Sequence, residues 1–104
     1  MGAEIISIKN KNKLINICKE LKIKRLFLFG SVLTKGFNKS SDIDFLVSFN
    51  EDISIEEYTE NYFTLHYKLR ELFKRDIDIL TERTLSNPFL IENINNSKML
   101  IYEA

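Results

Sequence analysis

Two rhythms of apolar positions alternate along this chain. Leu14, Ile17, Cys18 and Leu21 recur every three or four residues, so the spacing predicts a helix over residues 9–22. Arg25-Leu-Phe-Leu-Phe-Gly30 is a compact apolar run closed by glycine, which reads as a buried strand ending in a sharp turn. Ser31 can cap a short helix that Gly36 ends, and 37–41 is a polar loop. From Asp42 to Phe49 the period becomes two, with Ile43, Phe45, Val47 and Phe49 on one face of a strand. Ile55, Tyr58, Tyr62, Leu65, Leu69 and Leu72 step by three and four, giving a long helix over 54–74. Ser54 offers its N-cap and Glu57 the capping-box position. A third strand follows at Arg75–Leu80, a short helix opens at Asn87-Pro88, and Lys98–Tyr102 closes the chain as a strand.

Helices and strands in this order indicate an α/β (α+β) domain with one small mixed sheet and helices packed mainly on one face. At 104 residues a single domain over 1–104 is expected, with no linker or repeat. The stripe also decides the bland fate of several polar candidates. Tyr58, Tyr62 and Phe63 follow the apolar face of their helix and read as core contacts rather than base-stacking residues. Cys18 reads as a small buried hydrophobe. His66 sits beside the stripe with no second histidine or cysteine near it, and reads as a helix-surface or partly buried histidine rather than a ligand or base.

Composition narrows the chemistry. One Cys excludes an internal disulfide, and one Cys with one His cannot build a zinc site, so any metal must be held by oxygen. Fifteen basic against fifteen acidic residues give zero net charge, which argues against nucleic acid as the main partner. No segment is apolar enough for a signal peptide or a membrane span, so a soluble cytoplasmic protein is expected.

The neutral total hides a local separation. The chain has five Asp, and four of them form two Asp-Ile-Asp pairs, 42/44 and 76/78, each at the start of a predicted strand. At this Asp frequency, chance supplies only ~0.24 such pairs. Lys and Arg instead lie on the first helix, in the 35–39 loop and at the end of the long helix. On a strand, residues two apart point the same way, so Asp42 and Asp44 project together, away from the Ile43/Phe45 face. Two like charges at that range call for a cation, and carboxylates suit Mg²⁺. A further carboxylate from the neighbouring strand, Asp76 or Asp78, would complete a site for two ions. Upstream, Gly30 allows backbone to approach a phosphate, and Ser31 places an N–H and a hydroxyl beside it.

Leu28-Phe-Gly30-Ser31, ten residues, then Asp42-Ile-Asp44 resembles the Gly-Ser…Asp-x-Asp signature of the polymerase-beta-like nucleotidyltransferase superfamily. Asp78, followed by Ile79-Leu80, matches its third carboxylate, which leaves Asp76 as a flanking residue. The resemblance runs from about residue 8 to the end and is closest to the minimal nucleotidyltransferases, which lack a helical substrate domain. It implies a polymerase-beta-like fold, with Gly30 and Ser31 binding the nucleotide and Asp42, Asp44 and Asp78 as catalytic metal ligands for two Mg²⁺ ions. It also implies ATP as substrate, a HEPN-type toxin as partner and transfer of AMP to a hydroxyl of that toxin. The alternatives are a silent antitoxin that acts by occlusion, and a stand-alone transferase acting on a small molecule or nucleic acid.

Overall fold

The computed structural model describes residues 7–33 and 41–104, without the side chains of residues 8, 9, 31 and 32. The first helix, α1, spans Ile8–Glu20. Ser7 caps it, its hydroxyl accepting from the Asn10 N–H at 3.1 Å. The helix stops two residues before the sequence suggests, because Leu21 closes it and Lys22 takes a left-handed conformation (φ 58°). Asn61 then satisfies the Leu21 carbonyl from the neighbouring helix at 2.9 Å.

The reversal at Lys22 starts β1 early, at Ile23–Phe29, with an irregular register between Ile23 and Arg25. A 3-10 turn, Gly30–Leu33, leaves its far end. Ser31 lies inside this turn rather than ahead of it, and the expected stop at Gly36 falls outside the described residues. β2 (Ile43–Phe49) returns antiparallel to β1, and the long helix α2 (Ile55–Phe73) crosses to β3 (Ile77–Thr81), which lies parallel to β2. Ser54 caps α2 through the Glu57 N–H at 3.1 Å. The Glu57 carboxylate meets Lys22 at 2.9 Å, joining the two helix ends. A 3-10 turn at Glu82–Thr84, which periodicity does not reveal, precedes α3 (Pro88–Ser97) and β4 (Met99–Glu103). Asn87 caps α3 and Pro88 occupies its first turn, as expected.

The sheet order is β3-β2-β1-β4, so the fold is α+β with a mixed four-stranded sheet. One face carries Leu26, Leu28, Ile43, Phe45, Val47, Ile77 and Ile79 against Leu14 and Cys18 of α1 and Leu65 and Leu69 of α2. This is the core the two periodicities anticipated, except that Phe63, read as a core contact, is exposed because it falls off the three-and-four stripe of α2. The other face carries a smaller cluster in which Ile94 of α3 packs on Phe27 and Leu46. No described helix is long and apolar enough to cross a membrane.

β3 is an edge strand, and its outward carbonyls would lack partners without help. Two residues of α2 supply it. His66 Nε2 lies 2.8 Å from the Ile77 carbonyl, and Tyr62 Oη donates to the Ile79 carbonyl at 3.4 Å. A carbonyl only accepts, so Nε2 carries the proton in that contact. Both side chains therefore act in structure, Tyr62 from the helical stripe and His66 from beside it.

Candidate active site

The alternation of β2 sends Ile43 and Phe45 inward, where both are fully buried, and turns Asp44 to the opposite face. The same alternation in β3 buries Ile77 and Ile79 and exposes Asp78. The parallel register pairs Asp44 directly with Asp78, as it pairs Ile43 with Ile77. Neighbouring strands run about 4.8 Å apart, so these two carboxylates share one edge-to-centre step of the sheet. Asp42 stands at the mouth of β2, one residue before the strand, and is exposed. The Ile43 N–H donates to the Asp76 carbonyl at 3.1 Å, which starts the parallel pairing.

The turn after β1 comes against this pair from the other side. Phe29 is in register with Asp44, and Gly30 follows with φ +80°. A β-carbon on Gly30 would collide with Asp44 Oδ2 and lie 3.1 Å from Asp44 Cγ. Only glycine suits both the dihedral and the approach. From sequence alone the expected reason for this glycine is different, approach of backbone to a phosphate; what the structure sets against it is the Asp44 carboxylate. α3 packs against the same turn, and Phe29, opposite Asp44, and Leu46, two residues on, belong to the smaller apolar cluster on that face. The Ser31 backbone lies in the turn beside Gly30, while its hydroxyl lies outside the described side chains.

Among the described residues, no three acidic, histidine or cysteine side chains converge as a ready-made metal cage. The arrangement is instead a preformed pair, Asp44 and Asp78, with Asp42 one alternate position ahead. Mg²⁺ ordinarily takes one or two carboxylates and completes its shell with waters and substrate phosphates. An oxygen-only pair beside a glycine turn fits that habit.

Beside Asp42 a cleft of about 800 Å³ opens toward the end of α2, reaching Tyr67, Arg70, Lys74 and Arg75. The sequence showed the basic helix end. It did not show that the α2–β3 turn carries it beside Asp42 and Asp76, because that depends on the crossover.

The family profile described as "Polymerase beta, Nucleotidyltransferase" matches residues 12–104. A Methanocaldococcus jannaschii protein named "Putative protein adenylyltransferase" is 31% identical over 100 residues, covering 96% of this chain and 95% of its own. Among solved structures, a toxin-antitoxin crystal structure with AMP-PNP aligns with a TM-score of 0.68 at 23% identity, over 91% of this chain and 74% of that one. A complex described as tri-AMPylated Shewanella oneidensis HEPN toxin with MNT antitoxin aligns with a TM-score of 0.61 at 21% identity, over 100% of this chain and 74% of that one. These two structures share the fold. The profile and the curated relative show more: the chain belongs to the polymerase-beta-like nucleotidyltransferase family.

Proposed function

We propose that this single-domain nucleotidyltransferase moves AMP from ATP to a hydroxyl of a HEPN-type toxin, in a Mg²⁺-dependent reaction, and so acts as its antitoxin. The observation that carries the reading is the paired register of Asp44 and Asp78 with Gly30 closed against Asp44. The name of the Methanocaldococcus relative supports protein as the acceptor class. The description of the Shewanella complex supports a HEPN toxin as the acceptor.

In this reading Gly30 and Ser31 hold the triphosphate with backbone N–H groups, which a β-carbon at Gly30 would obstruct. Asp42, Asp44 and Asp78 would hold magnesium, and Asp78 would also serve the acceptor hydroxyl. Bound magnesium would neutralise phosphate charge and polarise the transferred phosphoryl group. The acceptor oxygen forms a bond to the α-phosphorus as the bond from that phosphorus to pyrophosphate breaks. The hydroxyl proton passes to the Asp78 carboxylate. The chain's contribution is placement and fixed charge, on strands too well packed to drift.

The test is transfer of labelled AMP from α-labelled ATP to the product of the neighbouring gene, which this reading expects to be a HEPN-type protein. Wild type should add one or more AMP units, seen as a mass increase, and Asp44→Asn should add none while still binding. A tight complex without any mass increase would replace transfer by occlusion.

A further inference from the structure

The register that aligns Asp44 with Asp78 continues across the other two strands. Phe29 is opposite Asp44, and β4 runs antiparallel beside β1 with Met99 opposite Leu28. One more step of that register sets Lys98 beside Phe29. Lys98 is extended (φ −64°, ψ 147°), so alternation turns its side chain to the same face as Leu100, whose partner is Phe27. The ammonium bears this out, with Nζ 4.3 Å from the centre of the Phe27 ring, in the smaller apolar cluster. Lys98, Phe29, Asp44 and Asp78 therefore form one row across all four strands, on the face opposite the main core.

Lys98 is half-buried, and among the described residues no carboxylate pairs with it. Arg25, on the same face farther back along β1, is by contrast held by Glu82 at 3.4 Å. The Lys98 backbone N–H donates to the Ile94 carbonyl at 2.8 Å, which anchors the residue while its four-carbon stem stays free to swing. An ammonium resting on an aromatic face keeps its N–H donors for a stronger acceptor. Gly30 leaves the end of β1, between the strand that carries Asp44 and the strand that Lys98 opens. The Lys98 and Asp44 backbones are two strand spacings apart, about 10 Å.

We propose that Lys98 binds the outer two phosphates of the nucleotide and offsets the charge of the pyrophosphate as it leaves. The inference rests on the transferase reading for what occupies the Gly30 turn, and on the strand register for the side of the turn. Phosphoryl transfer needs the entering and leaving oxygens roughly in line across phosphorus. The acceptor oxygen, whose proton passes to Asp78, enters from the β3 side of the turn and bonds to the α-phosphorus. The bond from that phosphorus to pyrophosphate breaks toward β4, and pyrophosphate keeps the electron pair. Lys98 stands on the side where that negative charge grows, and a flexible point charge can follow the phosphates as they depart. Its own proton is not consumed.

The test is isothermal titration of the full chain with Mg-ATP, magnesium pyrophosphate and AMP. Lys98→Met keeps a side chain over Phe27 and removes the charge. It should weaken ATP and pyrophosphate by about tenfold or more, the scale of a charge-assisted hydrogen bond. AMP, which lacks both outer phosphates, should bind as it does to the wild type. Lys98→Arg, which keeps the charge, should recover most of the loss, and melts without ligand check that both variants fold. Unchanged ATP binding in Lys98→Met, or equal weakening of AMP and ATP, would overturn the assignment. A loss in Lys98→Arg as large as in Lys98→Met would also overturn it, since charge would not be what the site needs. Selective loss of ATP and pyrophosphate binding without AMP transfer to any protein would leave Lys98 standing and remove the toxin-modifying reading. Transfer whose KM for ATP and kcat ignore Lys98→Met would do the reverse.

Discussion

Gly30 abuts the Asp44 carboxylate with no room for a β-carbon between them. The contact joins the turn that would hold phosphate to the strand that would hold metal. Alanine at position 30 therefore carries two penalties. It would sit at φ +80°, which costs an L-residue about 1–2 kcal/mol, and it would push the Asp44 side chain from its place. Gly30→Ala should lower stability by about 1–2 kcal/mol and reduce AMP transfer by more than tenfold. Urea titration and labelled-ATP assays read the two effects separately. A variant that is destabilised yet fully active would show that Asp44 need not hold this position.

Asp44 and Asp78 oppose each other in register, and like charges directly opposite destabilise a sheet. On the proposed reading, a cation would offset that repulsion in the working state. Asp78→Asn should raise the stability of the metal-free chain by a few tenths of a kcal/mol, up to about 1. The same variant should lose transfer and lose the rise in melting temperature that Mg-ATP gives the wild type, since a ligand stabilises only the state it binds. Thermal melts with and without Mg-ATP test both halves. If the variant is less stable without metal, charge repulsion does not govern the stability of this pair.

The edge position of β3 makes Asp78 depend on α2. His66 and Tyr62 hold the Ile77 and Ile79 carbonyls, the residues on either side of Asp78. Replacing one such hydrogen bond costs about 0.5–1.5 kcal/mol. His66→Ala should lose at least that much, because its contact is the shorter, and Tyr62→Phe should lose less. Hydrogen exchange should quicken in β3 in both variants before it changes in β1. Unchanged exchange in β3 would mean that packing alone fixes the strand.

Periodicity was enough to assign the core because burial and spacing share one cause. Ile43, Phe45 and Val47 must face one way along a strand, and all three are fully buried. The same parity turned Asp44 and Asp78 outward, so the acidic pair was legible once its strands were. Element ends were less legible. Lys22 takes a left-handed conformation that lysine does not advertise, and it moved the start of β1 from residue 25 to Ile23. Glu57 occupies a capping-box position, yet its carboxylate pairs with Lys22, a partner far away in sequence. The registry of Asp44 with Asp78 and the approach of Gly30 are likewise tertiary facts. Spacing brought these residues to the right strands, but strand order and crossover decided which atoms meet.

Cys18 offers a measure of core integrity that is independent of the site. It is fully buried among apolar neighbours, and burial pushes its thiol up from an ordinary 9.0 to about 12. At neutral pH both folded and unfolded chains keep the proton, so stability is insensitive to this group. Above about pH 9 the unfolded chain loses the proton and the folded chain does not, so stability falls as pH rises toward 12. The limiting slope of this contribution is about 1.4 kcal/mol per pH unit. Cys18→Ala should be less stable than wild type near neutrality by about 1 kcal/mol, through lost packing. The gap should narrow as pH climbs above 9, because only the wild type carries the ionisable thiol. Urea titrations of both proteins at about pH 7 and about pH 10.5 isolate the effect from lysine and tyrosine titration, which the two share. The folded wild type should also resist thiol reagents near neutrality, reacting only as fast as it opens. Parallel loss of stability in both proteins, with a constant gap, would mean that the thiol ionises as readily in the fold as out of it.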